Sequence, residues 1–158
     1  MQPLIDSMKV VHATTFAFYL KLQFFHWNVT GPNFPQYHEF FGDLYEEIHG
    51  AVDTNAEQIR AIEGYAPGSF QRFTELSTIE DQVEVVPASE MFRIALEDNN
   101  KVIETLKAAY KLSEAFNELG LANYIQDRID IHKKHGWMIR STNGMMSLPM
   151  ADSSISKT

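Results

Sequence analysis

The 158-residue chain contains no cysteine. Disulfide staples and thiolate metal sites are therefore excluded, which fits a reducing cytoplasm. No apolar run approaches the roughly 18 residues a membrane span requires. The first residues, Met1-Gln2-Pro3-Leu4, lack the basic-then-apolar order of a secretion signal. Positive charge is scarce where nucleic-acid-binding arms would carry it. Residues 1–59 hold only Lys9 and Lys21, and the stretch after Ser141 holds only Lys157. With a formal net charge of −8, attraction to phosphate is weak and DNA binding is not expected. No internal repeat at a solenoid period is present.

What remains is apolar and helical in pattern. The chain is 44% hydrophobic and 12% aromatic, a composition for one domain with a sizeable core rather than for disorder. Leu4, Met8, Val11, Thr15, Phe18, Leu22 and Phe25 recur at helical spacing and predict a first helix over residues 3–29. Gly31-Pro32 ends it, and Asn33 stands where a cap for the next helix belongs. The second helix is predicted from about 33 to 62, on Phe41, Leu44, Ile48, Val52, Ile59 and Ile62. Ser69 caps a short helix over 70–76, inside a connection running from Gly64 to Pro87. Two further long helices are predicted over 88–119 and 122–141, with Gly120 as the break between them. The predicted fold is all-α, a four-helix bundle with a short extra helix in the long crossover between the second and third long helices. The domain is placed at residues 1–145, and residues 146–158 read as a flexible tail.

The chemistry concentrates between residues 26 and 64. His26 ends the first helix; His38, Asp53 and Glu57 lie on the second. Two imidazoles and two carboxylates are a transition-metal ligand set that suits iron and that zinc can also occupy. Asp53 and Glu57 are four apart and share one helix face. His38 lies 53 − 38 = 15 residues earlier, roughly 22 Å away along the axis at about 1.5 Å per residue. Metal–ligand bonds are only about 2.0–2.2 Å long. One chain therefore cannot close the site. An antiparallel second copy, with a two-fold axis near Glu46-Glu47, sets His38 of one chain level with Asp53 and Glu57 of the other.

The stretch His26-Trp27-Asn28-Val29-Thr30-Gly31-Pro32-Asn33-Phe34, then His38-Glu39, then Asp53-Thr54-Asn55-Ala56-Glu57, strongly resembles the Dps mini-ferritins, the DNA-binding proteins from starved cells. Asp127-Arg128-Ile129-Asp130 and Trp137-Met138-Ile139 extend the likeness to about residue 145. The resemblance implies a ferritin-like four-helix bundle assembled as a hollow dodecamer. It implies ferroxidase sites across the dimer interface, oxidation of Fe²⁺ by hydrogen peroxide, and ferric mineral stored in the cavity. By the same resemblance Trp27 donates an electron or intercepts radicals, although packing beside the site is its plainer role. Asp127 and Asp130 would line a three-fold pore admitting ferrous ions; the plainer reading is surface carboxylates near a helix start.

One position departs from the pattern. The acidic ligand expected four residues after the second histidine is Gly42, followed by Asp43. A shift of one residue turns a helical side chain by about 100°, so Asp43 is no automatic substitute and the second metal position is left open. Two alternatives follow: a shell that buffers metal with weakened ferroxidase activity, or a DNA-condensing protein, which the charge disfavours. A conventional di-iron site within one bundle needs two Glu-x-x-His motifs, and only Glu46-Glu47-Ile48-His49 supplies one. His132 and His135, three apart, are disfavoured as ligands by the intervening Lys133-Lys134.

Overall fold

A computed structural model describes residues 1–144, so the expected tail 146–158 and its boundary lie outside the described residues. The order is α1 (Gln2–Asn28), α2 (Phe34–Ala61), α3 (Phe70–Leu76), α4 (Ala88–Ala115) and α5 (Leu119–Thr142). Among the described residues every regular element is helical. The long helices α1, α2, α4 and α5 form the bundle. Helix α1 packs on α2 and α4, α4 packs on α5, and α3 lies against α1.

The predicted α1 stripe is the one buried: Leu4, Met8, Val11, Phe18, Leu22 and Phe25 are all fully excluded from solvent. Phe41 from α2 stacks on Phe92 from α4 at 4.7 Å and meets Phe25 at 5.7 Å, tying three helices together. Each such side chain contributes about 1.5–3 kcal/mol by leaving water.

Helices α2 and α4 each end in a left-handed residue, whereas α1 ends on an extended Val29. Glu63 (φ 68) ends α2 and Asn117 (φ 60) ends α4. In each case the next amide turns back to the helix: Gly64 N–H donates to Ile59 O at 2.9 Å, and Glu118 N–H to Ser113 O at 2.8 Å. Close packing favours glycine at 64, since a Cβ there would lie 2.5 Å from Ile5 Cγ2. The break between α4 and α5 therefore falls at Asn117, not at Gly120, which sits within the first turn of α5. Asn tolerates the left-handed region almost as glycine does, which is why the break was misplaced. Ser69 caps α3 by accepting from Arg72 N–H at 3.2 Å, whereas Asn33 makes no side-chain cap to α2.

Candidate metal centre

His26 lies in the last turn of α1 and His38 in the second turn of α2, and the tight connection between the helices brings them face to face. Their rings stack at 3.7 Å with 17° between planes. The hydrogen bonds are reciprocal: His26 Nδ1 donates to the His38 carbonyl at 2.6 Å, and His38 Nδ1 donates to the His26 carbonyl at 2.7 Å. A carbonyl only accepts, so both protons are fixed on Nδ1 and both Nε2 lone pairs are left bare. Backbone carbonyls orienting Nδ1 while Nε2 stays free is the usual support of a metal-binding histidine.

Gly42 faces this pair. A Cβ at that position would stand 3.2 Å from both Cε1 and Nδ1 of His26. The imidazole of His26 therefore occupies space that an acidic side chain at 42 would need. Asp43 points to solvent and has no ion pair among the described residues.

Asp53 and Glu57 are exposed on the unbroken α2 and are not brought to the histidines. Among the described residues, no three His, Asp or Glu side chains of one chain gather to hold a metal. One subunit thus presents two separate half-sets of ligands.

Within one chain Trp27 is 60% exposed. It borders an apolar groove of about 480 Å³ with Phe16, Leu20, Phe24, Phe70 and Phe73, and Phe70 is 80% exposed. Asp127 and Asp130 are exposed, as both readings of them require. Asp127 lies two turns into α5, too far from its start for a helix-dipole role.

A cluster inside the bundle was not anticipated. Glu47 of α2 is gripped by both guanidinium nitrogens of Arg128 from α5, and His135 Nε2 meets it at 2.7 Å. Arg128 Nη2 also donates to His132 Nε2 at 3.2 Å, while His132 Nδ1 donates to Asn99 Oδ1 at 2.8 Å. Burial raises the cost of ionising Glu47, but hydrogen bonds from His135 and Arg128 outweigh it and hold the carboxyl down at about 2. Burial, with the charge of Arg128 second, pulls His132 down to about 3. Lys21 and Asp98 form a second interior pair at 2.6 Å. The Glu-x-x-His pair, Glu46 and His49, is exposed, with His49 against Tyr19 at 4.6 Å, whereas the intervening Glu47 turns inward. The spacing of His132 and His135 was the signal available in the sequence, and Lys133-Lys134 concealed it by pointing the other way, to solvent.

Residues 10–147 match the family profile described as Ferritin-like domain. The chain belongs to the ferritin-like family, the class its bundle with one long crossover defines. Within that class it is one of the Dps proteins. It is 33% identical over 124 residues to the DNA protection during starvation protein of Brevibacillus brevis, covering 78% of this chain and 83% of that one. The crystal structure of a Dps protein from Bacillus brevis superposes with a TM-score of 0.86 at 29% identity, covering 89% and 95% of the two chains. Dps from Staphylococcus aureus gives 0.87 at 27% identity, covering 94% and 98%.

Proposed function

We propose that the protein oxidises Fe²⁺ at sites shared between two subunits and stores the ferric product inside a hollow shell. His26 and His38 bind ferrous iron from one subunit, and Asp53 and Glu57 bind it from the partner subunit. The observation that carries this reading is the pair of bare Nε2 atoms, held by reciprocal carbonyl bonds, in a chain whose carboxylate half-set is out of reach. Hard carboxylates with imidazoles suit iron, and zinc is the expected competitor.

A second copy of the chain covers the apolar groove between α1 and α3, where Trp27, Leu20 and Phe70 are exposed without partners. The two-fold dimer then repeats into a closed shell, twelve subunits by analogy with the family. Hydrogen peroxide is the oxidant: two Fe²⁺ give up two electrons to one H₂O₂ with two protons, yielding two Fe³⁺ and two waters. Removing both reactants together protects the cell against hydroxyl-radical chemistry. Trp27, beside the shared site, intercepts stray one-electron oxidation, and Asp127 and Asp130 attract ferrous ions toward the cavity. The compartment is the cytoplasm; among the described residues no helix is long and apolar enough to cross a membrane.

The Gly42 packing favours a variant of this reading in which each site holds one iron firmly and the shell buffers metal with slower turnover. Counting Fe²⁺ bound and oxidised per subunit separates the two. Oxidation followed by absorbance after mixing with Fe²⁺ and peroxide tests the site itself. His38→Ala and Asp53→Ala are both expected to slow it at least about tenfold. Progress curves unchanged in both variants would reject the assignment.

A further inference from the structure

Ferritin-like di-iron proteins place one carboxylate from each of two helices, and a Glu-x-x-His from each of the other two, inside the bundle. This chain keeps the outline of that arrangement while changing its content. Helix α1 supplies Lys21, α2 supplies Glu47, α4 supplies Asp98 and Asn99, and α5 supplies His132 and His135, three apart. Asp98 and Lys21 are 3% and 6% exposed, and they neutralise each other. The other half converges on Arg128. Its side chain is 9% exposed, and its guanidinium touches both oxygens of Glu47 and the Nε2 lone pair of His132.

The side chains around that guanidinium are of the types that bind a divalent cation, but with Arg128 among them they are not gathered as a metal set. His132 is oriented by Asn99, whose Oδ1 accepts from its Nδ1 and whose Nδ2 donates to the His132 carbonyl at 2.8 Å. That is the outer support of a metal ligand, yet here the free lone pair is spent on an arginine. His135 stands on the same carboxylate at 2.7 Å. A fixed positive charge between the His132 imidazole and the Glu47 carboxylate supplies the counter-charge and repels a metal ion there. The α4–α5 side of His132 is ringed by positive charge, whereas Glu47 itself is 33% exposed. A pocket of about 380 Å³ touching Asn99 and His132 is rimmed by Lys107, Lys133 and Arg140 against a single Glu104.

We propose that Glu47, His132 and His135 form a divalent-cation site inside the bundle that the Arg128 guanidinium keeps closed. Arg128 thereby confines metal to the subunit interface; this last step rests on the function proposed above. Binding of Co²⁺ to the assembled full chain, followed by its visible absorption and by titration calorimetry, tests it. Arg128→Met is expected to gain one Co²⁺ per chain over the wild type, and Arg128→Met with Glu47→Gln to lose that ion again. The gain must persist with His38→Ala also present, because the internal site owes nothing to the interface. A folded, assembled Arg128→Met shell that binds no more Co²⁺ than the wild type overturns the proposal. Wild-type crystals soaked in Co²⁺ give an independent reading by anomalous scattering, whether or not the variant folds. No peak is expected among Glu47, His132 and His135, and a peak there overturns the proposal equally.

Discussion

The chain holds two histidine pairs, and they are built on opposite plans. At the α1–α2 turn, His26 and His38 satisfy only their Nδ1 protons and leave both Nε2 atoms bare. Inside the bundle, His132 and His135 have their Nε2 atoms committed, one to Arg128 and one to Glu47. Residue types alone do not distinguish these regions. The difference is whether a lone pair is left over and whether a cation of the chain already sits among the ligands. An unfinished set waits for a metal; a finished one is a buried ion-pair network that joins α2 to α5.

The largest test of that contrast removes one member from each plan. His38→Ala is expected to lower ferrous oxidation at least about tenfold while leaving the thermal midpoint within a few degrees, since it takes away an empty ligand. Glu47→Gln does the reverse. It strands Arg128, and discounting for the half-exposed carboxylate it costs about 2 kcal/mol in urea unfolding, with oxidation at the interface preserved. If the Glu47 variant lost oxidation and kept its stability, the two regions would have been assigned the wrong way round.

Acid sharpens the same comparison. His132 is neutral in the folded state with its value down at about 3, against 6.5 when unfolded. The unfolded chain thus binds more protons as pH falls, so this contribution is complete above about 6.5 and drains away towards 3. At pH 5 the loss from this group is about 2 kcal/mol. Glu47 acts only lower, between its unfolded value of 4.5 and about 2, where its pairing with Arg128 and His135 is lost. Chemical unfolding measured from pH 7 to pH 4 should fall along the first curve, steepened by His12, whose value burial also lowers, and His132→Gln should make it shallower.

The smallest effect comes from Gly42. Alanine in a helix is favoured over glycine by up to about 1 kcal/mol, so Gly42→Ala gains some helix propensity. The same Cβ would press on His26 from 3.2 Å and turn the ring. Stability is expected to hold or rise slightly while oxidation falls a few-fold, as read from paired unfolding and stopped-flow data. An increase in both would mean that His26 is not held where the ligand must be.

Much of this architecture was legible in the chain itself. The α1 stripe, the tight turn after Asn28 and the long crossover with its Ser69-capped helix follow from helical spacing and capping chemistry. The separation of His38 from Asp53 and Glu57 follows from helical rise and survives because α2 is unbroken. Other features needed the fold. Asn117, rather than a glycine, carries the left-handed residue between α4 and α5, so the helix ends were misplaced. The Glu47–Arg128–His135 cluster joins residues 81 and 88 positions apart, and no local pattern announces such a pairing. Gly42 looked like a missing ligand; only the ring of His26 beside it shows what the missing side chain makes room for.

Complementation between two inactive variants tests the shared site most directly. His38→Ala and Asp53→Ala chains, each inactive alone, are unfolded together, co-assembled and assayed for ferrous oxidation. In a mixed dimer one of the two sites receives an intact histidine set from one chain and intact carboxylates from the other. Random pairing then restores about a quarter of the wild-type sites. Recovery of roughly that activity is the expected result, and a co-assembled mixture as inactive as its parents would contradict the account.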